Sequence, residues 1–185
     1  DVAVLTGNVG RKSRNGFDNF RLGASCNCPP NAPFFPFSRH EGETLAFSFA
    51  LETTGLALAV ADGMNRPIEL DTYRDQLVDR LAAALSDVGA AGERIAAETG
   101  AEYRGLDASL APLPDGQTSV AALVERLLGA PVGSQGSVFV TGLLTDALRA
   151  ALKQSGARAV GFNGVMYSVL EDEGLAAANN RRGLS

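Results

Sequence analysis

The chain has 185 residues, 45% of them hydrophobic, and a formal net charge of −5. That length suits one domain with a substantial core, and an acidic balance without blocks of like charge argues against a nucleic-acid groove. The most apolar window, Leu45 to Ala61, is broken by Glu52, Thr53, Thr54 and Gly55, short of the roughly 20 apolar residues a membrane span needs.

Val2 to Leu5 is apolar and predicts a short strand, followed by a mobile loop over 6–19. The loop's Arg11, Lys12 and Arg14 are taken as solvated surface charge. No basic-then-apolar leader is visible around Asp1, so the chain is read as processed or as a piece of something longer. Phe20 to Ser25 predicts a strand that delivers the chain into a proline-braced loop. Pro29, Pro30, Pro33 and Pro36 fix φ and remove backbone donors there, while Phe20, Phe34, Phe35 and Phe37 are expected to pin it onto a core. Held at its end are Arg39, His40, Glu41 and Glu43.

Thr44 to Leu51 alternates in the strand period, with helix as the rival. Thr53 and Thr54 stand where they would cap a short helix through Met64. Thr72 and Asp75 have capping-box spacing before an amphipathic helix through Val78, Leu81, Leu85 and Val88. Gly89 and Gly92 predict a break, with a second segment from Glu93 to Thr99 stopped by Gly100. Tyr103 to Ala111 reads as a strand with Asp107 and Ser109 on one side, and Ser119 to Leu128 as a helix stopped by Gly129 and Pro131. Val138 to Thr141 stays open between strand and helix, but Leu143 to Leu152 is helical in period. Arg158 to Val169 predicts another strand, in which Gly161 and Gly164 suggest a bulge or a close backbone approach. A polar helix ends the pattern. The alternation favours an α/β layered or barrel-like arrangement with mixed strands.

Cys26, Cys28 and His40 offer only three soft ligands with unusual Cys-x-Cys spacing, so no metal site is assigned. The cysteines are poorly spaced for a mutual disulfide, which favours a reduced, cytoplasmic setting. Gly133-Ser-Gln-Gly136 lacks the lysine of a phosphate-binding loop and is taken as a plain loop. Glu171 and Asp172 are read as a helix N-terminal feature, with a hard cation as the alternative. His40 is the candidate acid or base, because imidazole titrates near neutrality and a carboxylate can orient it.

Five runs in order then resemble one family. They are Pro33-Phe-Phe-Pro-Phe-Ser-Arg-His-Glu-Gly42, Gly105-Leu-Asp-Ala-Ser-Leu-Ala-Pro112, Glu125 with the following Leu-Leu-Gly129, Leu143-Leu-Thr-Asp-Ala147, and Gly164 to Asp172. From about Phe17 onward the chain resembles the domain-of-unknown-function family numbered seven hundred and eleven, also called uncharacterised protein family two hundred and ten. The resemblance implies a large α/β barrel similar to that of the glycyl-radical enzymes, of which this single domain, 1–185, supplies a part. Members are longer and carry a further glycine-rich segment with a cysteine. No radical motif occurs in these residues and no radical chemistry is implied. The family pattern carries over to Pro33, Phe34, Phe35, Pro36, His40, Glu41, Gly42, Asp107, Ser109, Pro112, Glu125, Glu171 and Asp172.

The expectation is an uncharacterised cytoplasmic protein, an enzyme acting on a small polar metabolite at a barrel mouth. His40, Glu41 and Asp107 would be catalytic, and Arg39, Ser109 and Asn163 would bind substrate, with no cofactor assigned. The alternative is a non-catalytic ligand sensor or an assembly subunit that needs a second polypeptide. A small-molecule ligand is expected as partner, with no nucleic acid and no membrane, in a homo-oligomer or with a complementary fragment of the same barrel.

Overall fold

The computed structural model describes residues 2–12, 18, 26–30, 32–33, 38–114 and 116–181. The expected strand over 20–25, the braces Phe20, Phe34, Phe35 and Phe37, and also Arg14 and Pro36, lie outside the described residues. The protein is a mixed α/β structure with a small parallel sheet.

The first element differs from the sequence reading: Val2–Gly10 is a helix, α1, where the apolar run predicts a strand. Four consecutive apolar residues suit either element, because so short a run has no period to read. Strand β1 (Ala46–Ala50) forms where Phe47 and Phe49 alternate with small residues. Strand β2 (Glu102–Asp107) pairs with it in parallel, Ala46 opposite Glu102 and Ala50 opposite Asp107, with a register shift between Phe47 and Phe49. The rings of Phe47, Phe49 and Tyr103 share one face, their centroids 5.4–5.6 Å apart. Ser48 lies on the other face by alternation, and the register shift, which sets Asp107 opposite Ala50, puts Asp107 there too.

Helices α2 (Thr54–Asp62) and α3 (Leu70–Thr99) connect the strands. Thr53 does precede α2, yet its hydroxyl donates to the carbonyls of Ala108 and Ser109, at 3.0 and 3.1 Å, instead of capping the helix. The predicted break in α3 is absent, since one helix of 30 residues runs through Gly89 and Gly92. Gly92 is there for packing: a Cβ at that position would lie 2.6 Å from the Tyr103 ring. Glu69, not Thr72, caps α3, accepting from the Asp71 and Thr72 amides. Hydrogen bonds from the Thr72 side chain and from those two amides hold the Glu69 carboxyl below its usual range.

Beyond β2, α4 (Val120–Leu128) lies where a helix is expected and stops at Gly129, in the left-handed conformation, with Ser119 as its N-cap. Helix α5 (Ser137–Ser155) starts early enough to make Val138 to Thr141 helical. Leu77, Leu81 and Leu85 of α3 pack with Leu123 and Val124 of α4 and Leu144 and Leu148 of α5 into the core beneath Leu106. Each such side chain, fully buried, contributes about 1.5–3 kcal/mol.

The strand expected over Arg158 to Val169 is reduced to two isolated parallel bridges, Ala159 to Leu106 and Val165 to Leu110. Between them Gly161 and Asn163 take φ values of +81° and +49°, which turn the backbone out of the ladder. The last helix, α6 (Glu173–Asn180), lies where a final polar helix is expected. Every strand pairing among the described residues is parallel, not mixed. The ladder order, β1 then β2 then 158–166, follows chain order, and helices fill both connections, as parallel crossovers require.

Candidate functional site

β2 ends in Asp107, only 3% exposed although it is charged. Its carboxylate accepts from the Ser109 amide at 2.8 Å, the Ser109 hydroxyl, the Phe162 amide and the Asn163 amide at 3.3 Å. Four donors, two of them from a chain segment 55 residues away, replace the water that a buried carboxylate gives up. Gly161 makes the approach feasible, for a Cβ there would lie 2.3 Å from Asp107 Oδ2. The close backbone approach suggested by its place in the sequence is therefore real, and the contacting group is this carboxylate.

Asn163 closes the network. Its Oδ1 accepts from the Ala108 amide at 3.0 Å and its Nδ2 donates to the Val160 carbonyl at 2.8 Å. The Ser109 hydroxyl, besides donating to Asp107, accepts from the Gly164 amide at 3.3 Å. On the β1 side, the Leu51 amide donates to the Asp107 carbonyl at 2.8 Å and the Thr53 amide to the Ser109 carbonyl at 3.1 Å. Three separate segments are thus tied together at the C-terminal ends of the parallel strands.

Beside this network opens a cleft of about 100 Å3 lined by Glu52, Asp107, Ser109, Pro112, Met166 and Glu171 among others. The half-buried Glu171 carboxylate has no hydrogen-bond or ion-pair partner among the described residues. Asp172, beside it, caps α6, as its place before that helix predicts.

The structure brings together Asp107, Ser109 and Asn163, and holds His40, Glu41 and Arg39 elsewhere. All three are exposed, and Arg39 and His40 border a groove of about 50 Å3 that Ser48 and Arg104 also line. The Arg39 guanidinium pairs with Glu41 and donates to the Cys28 carbonyl at 2.9 Å. Glu41 is therefore Arg39's partner and not the group that orients His40. The imidazole Nε2 lies 2.9 Å from the Gly42 carbonyl oxygen, and since a carbonyl only accepts, Nε2 carries the hydrogen. The groove reaches the start of β1 and the cleft its end. Ser48 of the groove and Ala50 of the cleft stand two residues apart, about 7 Å at roughly 3.3 Å each.

Sequence reasoning missed Glu52 and Arg104 as cavity-lining groups. Glu52 had one usable signal, a carboxylate just after an apolar strand, at the end where α/β sheets present ligand groups. Arg104 had none, because its neighbour Ser48 is set by parallel pairing across more than 50 residues. Among the described residues no helix is long and apolar enough to cross a membrane.

A family profile described as Uncharacterised ACR (DUF711) matches residues 3–185. The UPF0210 protein of Methanopyrus kandleri is 31% identical over 161 residues, covering 85% of this chain and 35% of that protein. The UPF0210 protein of Pyrobaculum aerophilum is 32% identical over 166 residues, with 85% and 36% covered. A Thermoanaerobacter relative is 25% identical over 195 residues and aligns with all of this chain, but with 42% of its own length. The chain thus spans between about a third and two-fifths of these relatives. No solved structure matches.

Proposed function

This chain belongs to the uncharacterised DUF711 family, and on that footing we propose that it forms an arc of a β/α barrel and acts as an enzyme on a small polar metabolite at the strand-end cleft. The observation that carries this reading is the unpartnered Glu171 carboxylate, which lines the same cleft as Asp107 and Ser109, the two residues that the Asn163 network holds in place. Strand C-terminal ends are where parallel α/β folds gather ligands. The barrel arc is supported by the parallel pairing in chain order.

Each residue then has a role. Glu171, with Glu52 beside it, meets a cationic or hydroxyl-bearing part of the metabolite. Asp107, Ser109 and Asn163 position the cleft wall, since their polar atoms are already engaged. His40 is the acid or base, with Arg39 and Arg104 holding an anionic end in the neighbouring groove, for a metabolite that reaches across both hollows. The setting is cytoplasmic, which suits two cysteines not joined to each other.

The test is a thermal-shift screen of polar metabolites, followed by mass spectrometry of the mixtures that stabilise the protein. Glu171→Gln is expected to weaken binding by at least about tenfold, the scale of one lost charge-assisted hydrogen bond, while His40→Ala binds normally but forms no product. Unchanged binding in Glu171→Gln overturns the cleft, and unchanged turnover in His40→Ala removes His40 from the mechanism.

A second reading, a non-catalytic ligand sensor or assembly subunit, is favoured by the saturation of the network. The Asp107 carboxylate, the Ser109 hydroxyl and the Asn163 amide are already engaged with one another and with the backbone, as in a network that holds the cleft's shape. Ligand-induced stabilisation without product would select it.

A further inference from the structure

The ladder stops at a segment whose outer edge is open. The Val160 and Met166 amides donate inward, to the Leu106 and Leu110 carbonyls, both at 2.9 Å. In a parallel ladder the alternate residues turn their backbone groups the other way. The N–H and C=O of Ala159 and Val165 accordingly face away from β2, and they have no partner among the described residues. An open edge of this kind is a template for another strand.

Beside that edge lies an apolar surface. Val138 and Phe139 in the first turn of α5 are 87% and 65% exposed, and Phe162 and Leu170 are 54% and 96% exposed. The two stretches form one surface, because the Tyr167 hydroxyl bonds the Thr141 hydroxyl at 2.6 Å across the gap. A groove of about 580 Å3 runs there along α5, past Val138, Gly142 and Thr145 to Arg149, with Tyr167 as its wall. The neighbouring side of α5 is already taken by α3, through Arg74 and Asp146 at 2.6 Å. Gly142, where an added Cβ would meet nothing within 4 Å, leaves room for close approach. A strand edge next to a helix-wide apolar groove has the shape of a missing βα unit.

We infer that the open edge at 158–166 and the groove along α5 together receive one further βα unit, its strand parallel to Val165 and its helix against Val138 and Phe139. The occupant is a polypeptide carrying the remainder of the family's length, since the aligned relatives are only 35–42% covered by this chain. A second copy fits less well. Two-fold pairing of one edge with itself runs antiparallel, against the parallel sense of this ladder.

The inference rests on the barrel-arc reading, but ligand binding at Glu171 without edge docking removes only the inference, and docking without ligand binding removes only the cleft. The experiment mixes the 185-residue chain with the part of the Methanopyrus kandleri or Pyrobaculum aerophilum relative that lies outside the aligned region, and follows amide hydrogen exchange. In the free chain the Ala159 and Val165 amides should exchange at least about a hundredfold faster than those of Val160 and Met166, and should slow by at least about tenfold on mixing. Ala159→Pro removes only an outward-facing donor, so it should leave the melting temperature within about one degree while weakening association by about tenfold or more. Val138→Asp should weaken it similarly through the groove that this residue lines. Failure of both remainders to bind at about 100 μM, a concentration that detects even weak complexes, overturns the inference. So does binding with protection elsewhere, or self-association of the free chain that protects the same two amides.

Discussion

Asp172 Oδ1 accepts a hydrogen bond from Ser119 Oγ at 2.7 Å, although the two residues are 53 apart in sequence. Each is the N-cap of a different helix. Ser119 accepts from the Ala122 amide in α4, and Asp172 accepts from the Gly174 and Leu175 amides in α6. The other Asp172 oxygen reaches across to the Ala121 amide at 3.1 Å. One buried carboxylate therefore serves two helix N-termini, where its charge also opposes both macrodipoles.

Asp172→Ala should accordingly cost more than a single cap. Losing one N-cap costs about 0.5–2 kcal/mol, so about 2–3 kcal/mol is expected here. Ser119→Ala, which leaves Asp172 capping α6, should cost about 1 kcal/mol. Urea midpoints of the two variants check this, and equal losses would show that Asp172 acts on one helix alone.

Gly161→Ala should destabilise the protein for two reasons that add. The position has φ +81°, and the new methyl would fall 2.3 Å from Asp107 Oδ2. Left-handed strain costs about 1–2 kcal/mol, and displacing the Phe162 and Asn163 amides from a buried carboxylate should bring the total to about 3 kcal/mol. Chemical denaturation measures it. A loss below that of an ordinary surface substitution would mean that 161–163 does not hold Asp107.

At Gly92 two effects oppose each other. Glycine to alanine in a helix interior is worth about 1 kcal/mol in stability, but the methyl would meet the Tyr103 ring at 2.6 Å. Overpacking costs about 1–3 kcal/mol, so Gly92→Ala should be net destabilising. In a Tyr103→Leu background the same change should turn neutral or favourable, and a double-mutant cycle reads the difference.

Tyr73 is fully buried, donates to the Ala57 carbonyl at 3.1 Å, and has its phenol pKa pushed up by burial. The folded state therefore keeps the proton above about pH 10, where the unfolded chain releases it. Stability from this group is complete below pH of about 10 and falls as pH rises beyond it. Tyr73→Phe should cost about 1 kcal/mol at pH 7 for the lost hydrogen bond, and the gap to the parent should narrow above about pH 10. A gap independent of pH would show that the phenol is not buried.

The sequence by itself determined the parts whose cause is local. Helix ends were legible at Ser119, Gly100 and Gly129, because a cap needs only residues three or four apart. The apolar period through Val78, Leu81 and Leu85 marked the buried face of α3, and the family was legible from its ordered runs. Asp107, as a catalytic group, and Ser109 and Asn163, as substrate-binding groups, were singled out as well, with nothing to say that they bind one another. Tertiary structure decided that, and it decided the rest: α3 runs through Gly92 because Tyr103 packs there, the 158–169 segment leaves the ladder because Gly161 turns toward Asp107, and His40 borders a different hollow from Asp107. The physical reason is common to all three. Such contacts join residues tens of positions apart, their geometry follows from strand register and helix packing, and neither of those has a period that a linear chain can display.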